Sequence, residues 1–117
     1  MKNMKEYCQQ QIKTGKEAKE ILIKDIKKNP LWALEWSQGH IENITMARLC
    51  ENILNNLENS QTEKQIINDL RENLINDSQW LNQSTCPITN LLNDIEQMVK
   101  GQFLDRIGYA IDLKKIT

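Results

Sequence analysis

Side chains able to carry out chemistry are few and scattered along this chain of 117 residues. There is one histidine, His40, and three cysteines, Cys8, Cys50 and Cys86. General-base catalysis needs a base within hydrogen-bond reach of its nucleophile, and a zinc site needs at least three protein ligands. Cys50 lies ten residues beyond His40, close to three turns if one helix holds both, so the two do not pair within one element. The cysteine separations, 42 and 36 residues, contain no C-x-x-C motif. Cys50 falls instead on an apolar stripe, where a thiol behaves as a small core residue. His40, between Gly39 and Ile41, reads as a solvated or capping side chain at a helix junction.

The sixteen carboxylates offer no better constellation. Glu35 and Glu42, like Glu51 and Glu58, are seven residues apart and share a helix face. Di-iron bundles add Glu-x-x-His motifs from facing helices, and this chain has none. There is also no glycine-rich phosphate loop, nucleophile elbow or zinc-ligand spacing. These observations predict a protein that is not an enzyme and uses no cofactor or metal.

The most informative segment is Pro30-Leu-Trp-Ala-Leu-Glu-Trp36. Trp32 and Trp36, at i and i+4, are expected to stack along one helix face, with Leu31 and Leu34 beside them. A helix apolar over most of its circumference is either buried inside a bundle, the commoner outcome, or covered by a partner. Tryptophan is enriched at interface hot spots because it is large, rigid and carries a donor. Leu31, Trp32, Glu35 and Trp36 are therefore the candidate partner-binding residues.

Charge is unevenly placed. Residues 1–30 carry +4, residues 31–99 carry −7 and residues 100–117 carry +2, which sum to the net −1. A total near zero argues against a protein dedicated to coating DNA, whose affinity comes from neutralising phosphates. Lys16, Lys19, Lys24, Lys27 and Lys28 nevertheless form a candidate nucleic-acid surface, weakened by the interleaved Glu17, Glu20 and Asp25. The residues after Gly39 offer one arginine, Arg48, and no recognition face for a helix-turn-helix.

The elements that must position these residues are helical. Ile, Asn and Lys together make up 40 residues, whereas Val and Phe occur once each. That bias follows from AT-rich codons, and it leaves the chain poor in strand formers other than Ile. Thr14-Gly15-Lys16-Glu17 reads as a capping box that opens a helix with Ala18, Ile21, Leu22 and Ile26 on its buried face. Residues 1–13 are then a frayed extension or a short separate helix. Asn29-Pro30 predicts the next helix start, running to about Gln38, with Gly39 as its end or kink. Ile41, Ile44, Ala47, Cys50, Leu54 and Leu57 form a second stripe, which closes in the Asn-rich stretch Asn55–Asn59.

Ser60-Gln-Thr-Glu63 reads as a second capping box before Ile66, Ile67, Leu70 and Leu74. Asn76–Pro87 reads as a polar loop carrying Trp80 and Leu81 inward. Ile88, Leu91, Leu92, Ile95, Val99, Phe103, Ile107 and Ile111 then continue at helical spacing, with a break at Gly101 or Gly108. The prediction is one all-α domain over 1–117, a compact bundle of four to five helices with short connections. Surface scaling gives it roughly 6,600 Å² of exposed area.

No apolar run is long enough to span a bilayer. The lysines near the N-terminus lack the apolar segment of a secretory signal. With unpaired thiols, this points to a reduced cytoplasmic setting and no membrane partner. The functional expectation is a non-enzymatic protein that binds another protein, as a dimer, an adaptor or a small subunit. A phage or mobile-element inhibitor of a bacterial defence complex, such as an anti-CRISPR, also fits a short chain of low-GC composition. The alternative is a nucleic-acid-associated helical subunit using the N-terminal lysines.

Overall fold

The computed structural model describes residues 3–77 and 87–108. Among these the chain forms five helices and no strand: α1 Met4–Lys28, α2 Pro30–Glu35, α3 Gln38–Glu58, α4 Glu63–Asp77 and α5 Pro87–Arg106. The predicted all-α bundle is what forms. The described connections are short, with Asn29 alone between α1 and α2 and residues 36–37 between α2 and α3.

Helix α1 starts ten residues before Thr14 rather than at it. Asn3 caps it, its Oδ1 accepting from the Lys5 N–H at 2.9 Å. Residues 4–13 are therefore neither frayed nor separate, because Met4, Tyr7 and Cys8 are buried in the core. Thr14 sits in mid-helix, where its hydroxyl donates to the Gln10 carbonyl at 3.2 Å instead of capping. The buried seam runs Met4, Tyr7, Cys8, Gly15 and Ala18, which leaves Ile21 and Ile26 half exposed. Small residues shift the seam because they let α1 lie close on α3: a Cβ at position 15 would overlap Ala47 Cβ and stand 3.0 Å from the Asn43 carbonyl oxygen.

Asn29 starts α2 as expected, its Oδ1 accepting from the Trp32 N–H at 3.3 Å with Pro30 behind it. The helix ends sooner than predicted, at Glu35, and Gly39 belongs to the first turn of α3. The stripe on α3 is shifted too, with Met46, Ala47, Cys50 and Ile53 buried and Ile41, Leu54 and Leu57 packed at its margin.

The α3–α4 corner corrects the second capping box by two residues. Thr62 is the cap: its N–H donates to Gln65 Oε1 at 2.9 Å, and the Gln65 N–H donates to Thr62 Oγ1 at 3.2 Å. Ser60 instead closes α3 in the left-handed region at φ 72°. The Gln61 N–H bonds to the Asn56 carbonyl at 3.0 Å and the Ser60 N–H to Leu57 at 3.4 Å, the paired pattern of a Schellman motif.

Helix α4 buries Ile66, Ile67, Leu70 and Leu74, the four residues predicted. Helix α5 passes through Gly101 and stops before Gly108, which has φ 90°. It buries Ile95, Val99, Phe103 and Leu104, with Ile107 buried just past its end, while Ile88, Leu91 and Leu92 stay exposed. Trp80, Leu81 and most of the predicted loop lie outside the described residues, as does Ile111. At the loop's edges, α4 extends through Asp77 and α5 begins at Pro87. No helix among the described residues is long and apolar enough to cross a membrane. The total surface is 8423 Å², above the expected figure.

Candidate functional site

Helix α2 is turned inside out relative to an ordinary surface helix. Its one buried residue is Ala33, whereas Leu31 is 80% exposed, Leu34 71%, Trp36 65% and Trp32 49%. The expectation that this segment is core is overturned. α2 packs beside α1 with Ala33 as its one buried residue. A single residue, Asn29, links α2 to α1, so the segment is confined to the outside of the α1–α3 pair.

The helix is nonetheless pinned at both ends. The Ala33 N–H bonds to the Asn29 carbonyl at 2.9 Å, and the Trp36 N–H bonds to the Trp32 carbonyl at 3.1 Å. Buried Ser37 donates its hydroxyl to the Leu34 carbonyl at 3.0 Å, locking the turn into α3. The two tryptophans are one turn apart as predicted, but the ring pair among the described residues is Tyr7 and Phe103, with centroids 5.6 Å apart. Four large exposed side chains on this short helix and its C-cap, Trp36, present roughly 600 Å² of apolar surface, the upper end of what monomers show in one patch.

The candidate lysines Lys16, Lys19, Lys24, Lys27 and Lys28 are all exposed on α1. At 3.6 residues per turn they spread over about half the helix circumference, with Glu17 and Glu20 among them. Lys27 and Lys28 occupy the last turn, where they complement the helix dipole, and they lead directly into α2. Glu35 is exposed on α2 beside the apolar residues. The structure thus brings the basic end of α1 and the candidate partner-binding residues to one corner of the bundle.

His40 is half-buried in the first turn of α3. Among the described residues, no group of three or more His, Cys, Asp or Glu side chains is placed to hold a metal ion.

Sequence reasoning missed the meeting of Cys8 and Cys50. Both are free and fully buried, and their side chains share a hydrogen bond. That bond holds the Cys8 thiol below its ordinary range, while it and burial push Cys50 up. The available signal was the helical spacing of Met4, Cys8 and Gly15, which the placement of residues 1–13 outside the helix concealed. Beside this pair, Tyr7, Gln11, Glu42, Gln102 and Arg106 help to line a cavity of about 130 Å³. Burial pushes the Tyr7 phenol above its usual value, Cys50 adding to the shift and Arg106 opposing it. A broader cleft of about 490 Å³ between α3, α4 and α5 is lined by Leu49, Leu70 and Leu92 together with Arg48, Glu96 and Lys100.

The chain matches no protein-family model, no curated protein and no solved structure.

Proposed function

We propose that this chain is a non-enzymatic binding protein that docks onto another protein through α2, with Leu31, Trp32, Leu34 and Trp36 as anchors and Glu35 at their edge. One observation carries this reading: a pinned helix that buries an alanine and exposes two leucines and two tryptophans. Anchors held in place before binding lose little entropy on association, and large aromatic anchors dominate interface energetics. Lys27 and Lys28, in the last turn of α1, lead directly into α2, so the complementary surface is an apolar groove with an acidic rim. An adaptor, a small subunit or an inhibitor carried by a mobile element, such as an anti-CRISPR, would all use such a surface, and the low-GC composition favours the last.

Affinity capture tests this reading with the parent chain and a Leu31→Glu/Trp36→Glu variant. Both substituted residues are exposed, so the variant is expected to fold normally, which circular dichroism verifies. Loss of the captured protein from a folded variant supports α2 as the anchor. Equal capture by both chains refutes it, and sedimentation of the parent alone identifies self-association through the same patch. The second reading, nucleic-acid binding, draws on the exposure of all five candidate lysines. It requires affinity that falls steeply with salt. Absence of RNA or DNA binding at low salt removes it.

A further inference from the structure

We propose that Cys8 and Cys50 act as an intramolecular dithiol that a hydroperoxide converts to a disulfide bridging α1 and α3. The two residues are 42 apart in sequence, yet their sulfurs are hydrogen-bonded to each other in the core. A disulfide needs Cβ atoms about 3.8 Å apart, which most helix pairs, with axes about 8–10 Å apart, do not provide. This pair does approach closely, since Gly15 lies so near Ala47 that no side chain fits between them. Cys8 opposite Cys50 and Gly15 opposite Ala47 place the helices antiparallel. Both contacts then fall on one seam of small residues.

The two thiols share one hydrogen bond, so either sulfur can attack first, and the steps are written with Cys8 attacking and Cys50 resolving the intermediate. Buried thiols are ordinarily inert for want of access. Here the cavity of about 130 Å³ is lined by Tyr7, the neighbour of Cys8, and by Met46, one turn from Cys50. A water molecule occupies about 30 Å³, so the cavity admits hydrogen peroxide to the neighbourhood of the pair, and local opening of the α1–α3 seam supplies the last approach to the two buried sulfurs, which do not line it.

In the first step the Cys8 sulfur attacks one peroxide oxygen and the O–O bond breaks. The departing hydroxide takes the Cys8 thiol proton and leaves as water, and Cys8 becomes a sulfenic acid. The Cys50 sulfur then attacks the Cys8 sulfur. The S–S bond forms, the S–O bond breaks, and the hydroxide leaves with the Cys50 proton as a second water. Two thiols lose two electrons, and one peroxide is reduced to two waters.

A Cys86→Ser chain, which keeps only this pair, provides the test. The folded protein is treated with hydrogen peroxide, quenched, denatured and alkylated with a maleimide. The expected product takes up no maleimide, has an intact mass lower by about 2 Da, and yields a Cys8–Cys50 peptide without reduction. On the same background, Cys50→Ser is expected to leave a Cys8 sulfenic acid that dimedone traps. If Cys50→Ser fails to fold, the Cys86→Ser measurement decides alone. The proposal is overturned if both thiols still take up maleimide after a peroxide dose that oxidises the urea-unfolded chain. Crosslinks between chains in place of the internal bridge overturn it as well.

Discussion

Replacing Gly15 by alanine tests the closeness of α1 and α3, on which the whole arrangement rests. In a solvated helix interior, glycine to alanine stabilises by about 1 kcal/mol. At position 15 the added methyl meets Ala47 Cβ and the Asn43 carbonyl oxygen, both carried directly on the α3 backbone, so no flexible side chain can swing aside. Overpacking of this kind costs about 1–3 kcal/mol, and its rigid neighbours place this site at the upper end. The net expectation is a loss of about 2 kcal/mol, after the helix-propensity gain is subtracted. Gly101 is the internal control, because nothing lies within 4 Å of a Cβ there and it sits inside α5. Gly101→Ala should gain about 0.5–1 kcal/mol.

The assay is urea unfolding followed by circular dichroism, with the m-value compared across variants. A double-mutant cycle with Ala47→Gly isolates the contact: Gly15→Ala/Ala47→Gly should recover about 1–2 kcal/mol relative to the sum of the single changes. A Gly15→Ala chain at least as stable as the parent, with no coupling to Ala47→Gly, would refute the close packing. The geometric basis for the Cys8–Cys50 bridge would fall with it.

The remaining predictions concern the core, the corner after α3 and the buried phenol. Phe103→Ala, at a fully buried site, should cost about 3–5 kcal/mol, whereas Trp36→Ala should cost less than about 1 kcal/mol in the same urea assay. Comparable losses from the two would mean that α2 is core after all. Ser60→Gly should stabilise by about 1 kcal/mol, since the left-handed conformation at φ 72° penalises a side chain and not glycine. An unchanged urea midpoint would contradict that. Burial holds the Tyr7 phenol above its usual value, so the unfolded chain ionises first. The stability Tyr7 contributes is complete below about pH 10 and is lost as pH rises through the higher folded value. Tyr7→Phe should therefore flatten the decline in urea midpoint above that pH, and an undiminished decline would place its origin elsewhere.

Periodicity identified helices wherever large apolar residues marked the buried face. All four α4 positions, Ile95, Val99 and Phe103 of α5, and Ile107 just past its end are buried as expected for that reason. It failed on α1, where the seam is made by Cys8, Gly15 and Ala18 and the large isoleucines lie partly outside. Capping motifs were legible in kind but not in register. Ser60-x-x-Glu63 and Thr62-x-x-Gln65 both satisfy the pattern, and only the left-handed turn at Ser60 selects the second. The Leu31–Trp36 segment stands out in the sequence by its residue types. Its exposure was not, because an all-round apolar helix looks the same in sequence whether neighbours or a partner cover it. The pairing of Cys8 with Cys50 depends on how α1 and α3 pack, which no local spacing encodes.

The central claim is that α2 is a preorganised docking surface. Its most direct test is a binding isotherm between this chain and the protein that it captures, once purified, repeated with Trp36→Ala. The prediction is a Kd weakened at least tenfold, equivalent to about 1.4 kcal/mol, with the urea midpoint nearly unchanged. An unchanged Kd, or weaker binding accompanied by a collapse of stability to the level expected for Phe103→Ala, would contradict it.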